Sequence, residues 1–229
     1  MYFCALKTKS MIVYKFGGAS VRNATSVRKL AEIIRRCEED LVVVISAMGK
    51  TTNRLENVVE EAMKKTGKYE PLLASILEDH LSIVQHLFND ANHYIAGEIE
   101  ELVHAIETLI KKNLQSDYNF LYDQVIVTGE LLSTKIVSAF LNHQGIENRW
   151  IDARLVIKTD DNYRDANVLN ELSGARCRDV FNFSETDCYV TQGFIGADPA
   201  EHSTSLGREG SDFSAALIAS FLEAKSVTL

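Results

Sequence analysis

The fold of this chain is decided by the stretch Tyr14-Lys15-Phe16-Gly17-Gly18-Ala19-Ser20-Val21. The apolar run 11–14 is typical of a buried strand, and apolar residues then recur with helical spacing at Val27, Leu30, Ala31 and Ile34. A lysine and two glycines therefore lie where a strand turns into a helix, and the backbone N–H groups of such a turn can bind an anion. The pattern predicts either a phosphate-binding turn or a tight turn beside a solvated lysine. It matches neither the Walker loop nor the dinucleotide-binding glycine motif.

The overall composition argues against several classes of protein. The chain has 229 residues and a formal net charge of −8, whereas a nucleic-acid-binding protein would need a basic face. No apolar run approaches the roughly 18 residues of a membrane span, so we expect no membrane partner. The four cysteines are scattered without a CxxC pair, which is typical of reduced thiols in a cytoplasmic protein. Residues 1–10 lack the apolar core of a signal peptide and are interpreted as an N-terminal extension.

A second strand-to-helix loop follows the apolar run 41–45. This loop, Ser46-Ala47-Met48-Gly49-Lys50-Thr51-Thr52-Asn53, is rich in hydroxyl groups and carries its own lysine. Ligands of α/β proteins bind at the carboxyl ends of strands, which makes Ser46 and Thr52 candidate ligand contacts. Local capping of the loop and the helix is the alternative role for these two side chains.

Residues 70–113 carry two helical stripes of apolar residues with no strand between them, which predicts a helical lobe. Its histidines lack the HExxH spacing, so we interpret them as surface or packing residues and predict no metal site. A further helix is predicted over 123–143. It contains Gly129, which indicates a close backbone approach, and Glu130, which is either a solvated surface group or a group near a substrate.

The second half of the chain alternates between strands and loops. Strands are predicted at 148–151 and 187–192, with a polar loop over 158–168 and a helix over about 168–181 between them. The segment 193–199 has the composition of turns.

The loop 204–214 is a second candidate anion site. It contains two glycines and Arg208, whose planar guanidinium suits a carboxylate or a phosphate. A helix follows, and Ser211 or Asp212 is predicted as its N-cap. The last residues, 227–229, are typical of the start of another strand.

Four segments together resemble the amino-acid kinase fold family and, within it, the aspartate kinases. They are KFGGASV at 15–21, SAMGKTTN at 46–53, TGELLS at 128–133, and QGFIG with TSLGREGSD at 192–212. The resemblance spans nearly the whole of 11–229, and KFGG followed by a small residue and Ser-Val is specific to aspartate kinases. The chain departs from the family at Ala19, where threonine is usual, and at Glu209, where glycine is more frequent. We expect the Glu209 side chain to point outward.

The resemblance implies an α/β fold, a three-layer α/β/α sandwich with a mainly parallel sheet. The strands near 11–16, 41–46, 148–151 and 187–192 are expected to point their C-terminal ends at one cleft. The implied reaction is transfer of a phosphoryl group from ATP, with Mg²⁺, to the β-carboxylate of L-aspartate. The product, 4-phospho-L-aspartate, is the first intermediate toward lysine, threonine and methionine.

The resemblance also implies a role for each matched residue. Lys15 would neutralise the transferring phosphoryl group, and Asp212 would orient Lys15. Glu130 would meet the substrate ammonium and Arg208 its α-carboxylate. The implied substrate pocket also includes Ser46 and Thr52, and the implied phosphate contacts are Lys15, Gly17, Gly18, Gly210 and Ser211.

The catalytic domain over 11–229 is expected to be incomplete and truncated at its C-terminus. The nucleotide-binding half and the ACT regulatory domains would then lie beyond Leu229, and the full-length protein is expected to form a homo-oligomer. Two alternatives stay open. One is another kinase of this fold, which would act on acetylglutamate, glutamate, carbamate or uridylate. The other is a substrate-binding module without turnover.

Overall fold

The computed structural model describes residues 10–65 and 67–229, which form a five-stranded sheet, a two-stranded hairpin and eight α-helices. The strands are β1 (Met11–Phe16), β2 (Asp40–Ile45), β3 (Arg149–Ile151), β4 (Cys188–Gln192), β5 (Ile195–Ala197), β6 (Ser203–Ser205) and β7 (Ser226–Thr228). The helices are α1 (Ala24–Arg35), α2 (Thr51–Met63), α3 (Tyr69–Phe88), α4 (Tyr94–Asn113), α5 (Tyr118–Ile126), α6 (Thr128–His143), α7 (Asn170–Val180) and α8 (Gly210–Phe221). The expected N-terminal extension lies outside the described residues except for Ser10.

The five-stranded sheet is parallel throughout, in the order β3-β4-β2-β1-β7. The four predicted strands therefore lie in one sheet, as expected. The register pairs Phe16 with Ile45 and Ile45 with Gln192, so β1, β2 and β4 end at the same edge. The loops that follow these three strands are consequently brought together.

Alternate residues of β2 pack into two separate cores. Leu41, Val43 and Ile45 contribute to a core shared with α1–α6, whereas Val42 and Val44 contribute to a core shared with α7 and α8. Because both faces of β2 are covered, residues 41–45 form a continuous apolar run and not an alternating one. The sheet is the middle layer, and the predicted three-layer α/β/α sandwich is confirmed.

Helices α3 and α4 form the predicted helical lobe beside the sheet. The helix predicted over 123–143 begins earlier, at Tyr118, because Val127 has helical dihedral angles and joins α5 to α6. The joined helix is the one in the described chain that is long and apolar enough to cross a membrane by length and composition. Because 89% of its most apolar window is buried inside the protein, it has the character of a core helix.

The assignment of 193–199 to turns is wrong in its middle part. Ile195–Ala197 forms β5, which pairs antiparallel with β6. The Ala197 N–H donates to the Ile157 carbonyl at 3.0 Å, and the Thr159 N–H donates to the Ala197 carbonyl at 2.9 Å. These partners are distant in sequence, so local turn composition could not reveal a strand of three residues.

Candidate active site

A cleft of about 550 Å³ lies at the edge of the sheet where β1, β2 and β4 end. Every predicted site residue except Gly17 lines it: Lys15, Gly18, Ser46, Thr52, Glu130, Arg208, Gly210, Ser211 and Asp212. Gly17 lies directly beside this group, since a Cβ at Gly17 would be 3.5 Å from Lys15 Nζ. Residues from four separate sequence segments are thus gathered around one space.

The first two loops of the cleft touch each other through their backbones. A Cβ at Gly18 would lie 2.7 Å from Ala47 O and 2.9 Å from Gly49 O, which no real side chain tolerates. The Gly49 N–H in turn donates to the Gly18 carbonyl at 3.0 Å. The contact between the two loops therefore requires glycine at position 18, whether or not the turn also binds an anion.

Lys15 and Asp212 form an ion pair across the cleft, with Lys15 Nζ 2.5 Å from Asp212 Oδ1. Asp212 lies in the first turn of α8, and the side chain of Lys15 is mostly buried. A carboxylate near a helix N-terminus is stabilised by the helix dipole. The ion pair holds the lysine ammonium at the end of β1, beside the glycine turn.

The predicted N-cap of α8 is wrong. The cap position falls on Glu209, which has a left-handed backbone with φ of 59°, and no side chain caps the helix. Ser211 and Asp212 are instead the second and third residues of the helix. Glu209 is exposed at the rim of the cleft, in agreement with the expected outward orientation.

Glu130 is the most strongly perturbed ionisable group of the cleft. Its side chain is buried, its Oε1 accepts the Ala47 N–H at 3.2 Å, and its Oε2 has no partner within the described chain. Burial raises the pKa of Glu130 to about 8, while the hydrogen bond from Ala47 acts in the opposite direction. The alternative of a solvated surface group is thereby excluded.

Gly129 explains how Glu130 comes to lie here. A Cβ at Gly129 would be 3.0 Å from Ala47 Cβ and 3.3 Å from Leu55 Cδ1. The predicted close approach is confirmed, because α6 packs directly on the loop after β2. The Ser133 hydroxyl strengthens this contact by donating to the Ser46 carbonyl at 2.8 Å.

The hydroxyl groups of the second loop have two different roles, a local hydrogen bond and lining of the cleft. Thr51 has the local role, since its hydroxyl donates to the Met48 carbonyl at 2.7 Å. Ser46 and Thr52 line the cleft, and among residues 10–65 and 67–229 their hydroxyls have no hydrogen-bond partner. Both hydroxyls are therefore available to a ligand.

Two residues of the cleft, Tyr122 and Arg164, lie outside the four segments that the sequence analysis singled out. Arg164 comes from the segment interpreted only as a polar loop. Its guanidinium lies 4.4 Å from the centre of the Tyr122 ring. Neither residue belongs to a recognisable motif, so only the fold brings them to the site.

The described residues contain no group of three or more histidine, cysteine, aspartate or glutamate side chains that could hold a metal ion. Fold and cleft together define a parallel α/β domain whose strand-end cleft contains glycine-rich loops, a lysine–aspartate ion pair and a buried carboxylate.

The chain matches the Amino acid kinase family over residues 10–229 and therefore belongs to this family. It is 31% identical over 223 residues to the lysine-sensitive aspartokinase 3 of Escherichia coli, covering 96% of this chain and 48% of that protein. It is also 31% identical over 242 residues to the chloroplastic bifunctional aspartokinase/homoserine dehydrogenase 2 of Arabidopsis thaliana, covering 95% of this chain and 24% of that protein.

Solved structures give the same relationship. The structure of E. coli aspartokinase III in complex with aspartate and ADP matches with a TM-score of 0.86 and 30% identity. The alignment covers 95% of this chain and 48% of that one, and the complex with lysine and aspartate matches equally well. The chain thus spans about half the length of this relative and about a quarter of the bifunctional plant protein.

Proposed function

We propose that this chain is part of an aspartate kinase and forms the site that transfers a phosphoryl group from ATP to the β-carboxylate of L-aspartate. The observation that carries the proposal is the buried Glu130, whose unpaired Oε2 lies in a cleft that also contains Arg208 and Lys15. A buried carboxylate without a partner is costly unless a cation joins it. The ammonium of an amino acid supplies that cation.

The rest of the cleft suits the carboxylates of the substrate. Arg208 offers a planar fork to the α-carboxylate, and the hydroxyls of Ser46 and Thr52 are free to donate. A substrate held by its ammonium and α-carboxylate at one end would direct its β-carboxylate toward Gly18 and the N-terminus of α8. These groups would select an amino acid whose side chain places a second carboxylate at the distance of the β-carboxylate of aspartate.

Phosphoryl transfer to a carboxylate needs little acid–base chemistry. The β-carboxylate is ionised at pH 7 and can attack without a general base. Lys15, held by Asp212, would neutralise the charge that develops on the transferring group. The backbone N–H groups near Gly17, Gly18, Gly210 and Ser211 would hold its oxygens, and Mg²⁺ would arrive with the nucleotide.

The aspartate and ADP bound to the E. coli relative support this acceptor and this nucleotide. The experiment is a coupled ADP-release assay of the full-length protein with L-aspartate, L-glutamate and N-acetylglutamate as acceptors, with Lys15→Ala as the control for background hydrolysis. Turnover with aspartate alone is the expected result, and a preference for another acceptor would refute the proposal. Calorimetric titration with aspartate and with ATP tests the binding-module alternative, for which aspartate binds without turnover.

A further inference from the structure

Arg164 has a backbone conformation that its residue type disfavours. Its φ of 74° lies in the left-handed region, where a side chain other than glycine costs of order 1 kcal/mol or more. Such strain persists only when surrounding contacts impose it, and it occurs preferentially at functional sites. Arg164 also lines the candidate active site, so the contacts that impose its conformation are informative.

A buried carboxylate holds the Arg164 backbone in place. Asp123 is fully buried in α5, and its Oδ2 accepts the Arg164 N–H at 2.9 Å. The same carboxylate accepts the Ser205 N–H at 2.9 Å and the Ser205 hydroxyl at 2.6 Å. Burial raises the pKa of Asp123, although these hydrogen bonds favour its charged form. One carboxylate thus fixes the loop of Arg164 and the strand that leads to Arg208.

The two arginine loops also touch each other. A Cβ at Gly207, the residue before Arg208, would lie 2.5 Å from Asp165 Oδ1 and 3.5 Å from Arg164 O. Gly207 has a φ of 72°, so both its space and its dihedral angle require glycine. Arg164 and Arg208 are therefore carried by adjoining loops on the same cleft.

The guanidinium of Arg164 lies on the side of the cleft formed by α2 and α5. It is 4.4 Å from the ring centre of Tyr122 and 5.6 Å from that of Tyr118. The guanidinium lies 3.9 Å from the Glu56 carboxylate, which is the outer limit of an ion pair. The tyrosine ring supports the flat face of the guanidinium by a cation–π contact and leaves its N–H edge available.

The balance of charges in the cleft favours a second basic side chain that binds the substrate. Lys15 is paired with Asp212, and Glu209 lies on the rim next to Arg208. An acceptor with two carboxylates must enter among three acidic side chains, and within the described chain the lining cations other than Lys15 are Arg164 and Arg208. We propose that Arg164 binds a carboxylate of the acceptor substrate together with Arg208, as a specificity-determining residue held in place by Asp123. This inference rests on the proposed function and adds a contact to it.

Arg164→Gly is the decisive variant because stability and affinity for aspartate should not change together: the strain is relieved, whereas the affinity falls. Glycine accepts the left-handed backbone without cost, so the variant should melt no lower than the original protein. The loss of the guanidinium should raise the Kd for L-aspartate roughly tenfold, as expected for a partly solvated charge-assisted hydrogen bond. A purely structural role would not weaken binding in a protein that is equally stable.

Lys65→Gly is the matched control. Lys65 is an exposed basic residue with a φ of 54° that does not line the cleft, so the change relieves the same kind of strain and removes the same charge. Its Kd for aspartate should remain within about twofold of the original, because solvent and salt screen exposed charges at a distance. Arg164→Lys keeps the charge and loses the planar fork, and its Kd should lie between those of the original protein and Arg164→Gly.

The experiment is calorimetric titration of the full-length protein, without substitution and with each of the three substitutions, with L-aspartate, combined with steady-state kinetics. The expected result is an increased Kd and KM for aspartate in Arg164→Gly, with an unchanged KM for ATP. Unchanged aspartate affinity in Arg164→Gly, or an equal loss in Lys65→Gly, would overturn the inference and leave the kinase proposal standing. An original protein that binds no aspartate would overturn the kinase proposal and this inference with it.

Discussion

Binding of aspartate should release a proton from Glu130, because the free cleft holds this side chain largely in its neutral form. The pKa of Glu130 is raised to about 8 by burial. At pH 7 only about one tenth of the molecules would then carry the ionised carboxylate that an ammonium requires. Ligand binding must draw Glu130 into its ionised form, which lowers the apparent affinity about tenfold and releases about 0.9 proton per aspartate bound.

The sign of the pH dependence follows from the raised pKa. The affinity for aspartate should increase as the pH rises from 6 to 8, by nearly tenfold per pH unit at the lower end, and level off above the pKa. The substrate carboxylates are ionised throughout this range and do not contribute. The pH of these experiments must stay below the pKa of the substrate amine, so that the ammonium remains protonated.

Calorimetry measures both quantities. Titrations at pH 6, 7 and 8 give the affinity profile, and titrations at pH 7 in buffers with different enthalpies of ionisation give the number of protons released. Glu130→Gln is the matched control, since the amide fills the same space and cannot ionise. It should bind aspartate more weakly, with a flat profile and no proton release.

Either of two results would refute this reasoning. A pH-independent affinity with no proton release would show that Glu130 is already ionised in the free cleft or does not meet the ammonium. An equal affinity of the original protein and Glu130→Gln at pH 8 would place the ammonium elsewhere.

The remaining predictions concern single substitutions around the cleft. Lys15→Ala should lower kcat about a hundredfold or more and leave the Kd for aspartate nearly unchanged, because its charge acts on the transferring phosphoryl group; a change in KM for aspartate alone would contradict this role. Arg208→Ala should raise the Kd for aspartate about ten- to hundredfold, and Arg208→Lys should not restore binding, which calorimetry measures directly. Gly18→Ala should lower the free energy of unfolding in denaturant by about 1–3 kcal/mol through backbone collision, whereas Gly17→Ala should be nearly neutral; equal effects would refute the loop contact. Glu209→Gly should stabilise the protein by about 0.5–1 kcal/mol, seen as a higher Tm, because glycine accepts its left-handed backbone.

The parallel sheet could be predicted because both of its faces are buried. The run Leu41–Ile45 has no polar residue and is rich in valine, which is typical of a strand covered on two sides. The helical lobe could also be predicted from the sequence, since its apolar stripes are long and uninterrupted. Residues such as Ser46 and Lys15 could be placed at one cleft because parallel strands end at a common edge.

The missed elements depend on contacts between distant segments. Strand β5 has only three residues and is held by backbone hydrogen bonds to 157–159. Arg164 belongs to no motif, and its conformation is imposed by Asp123, which lies in another helix. The N-cap of α8 falls on Glu209, and Asp212 pairs with Lys15 from the other side of the cleft instead of capping the helix. Patterns within a short window carry no information on such partners.

The glycines of the cleft explain why its charged groups are found in fixed positions. Gly18 packs on the loop after β2, and Gly207 packs on the loop of Arg164. A Cβ at Gly193, directly after β4, would lie 2.6 Å from Ser211 Cβ at the start of α8. Each glycine thus joins a strand-end loop to a neighbouring segment that carries functional groups. A substitution at any of these glycines would displace the charged side chains of the cleft, although none of those side chains is itself changed. The glycines therefore belong to the site as much as the residues that would contact the substrate.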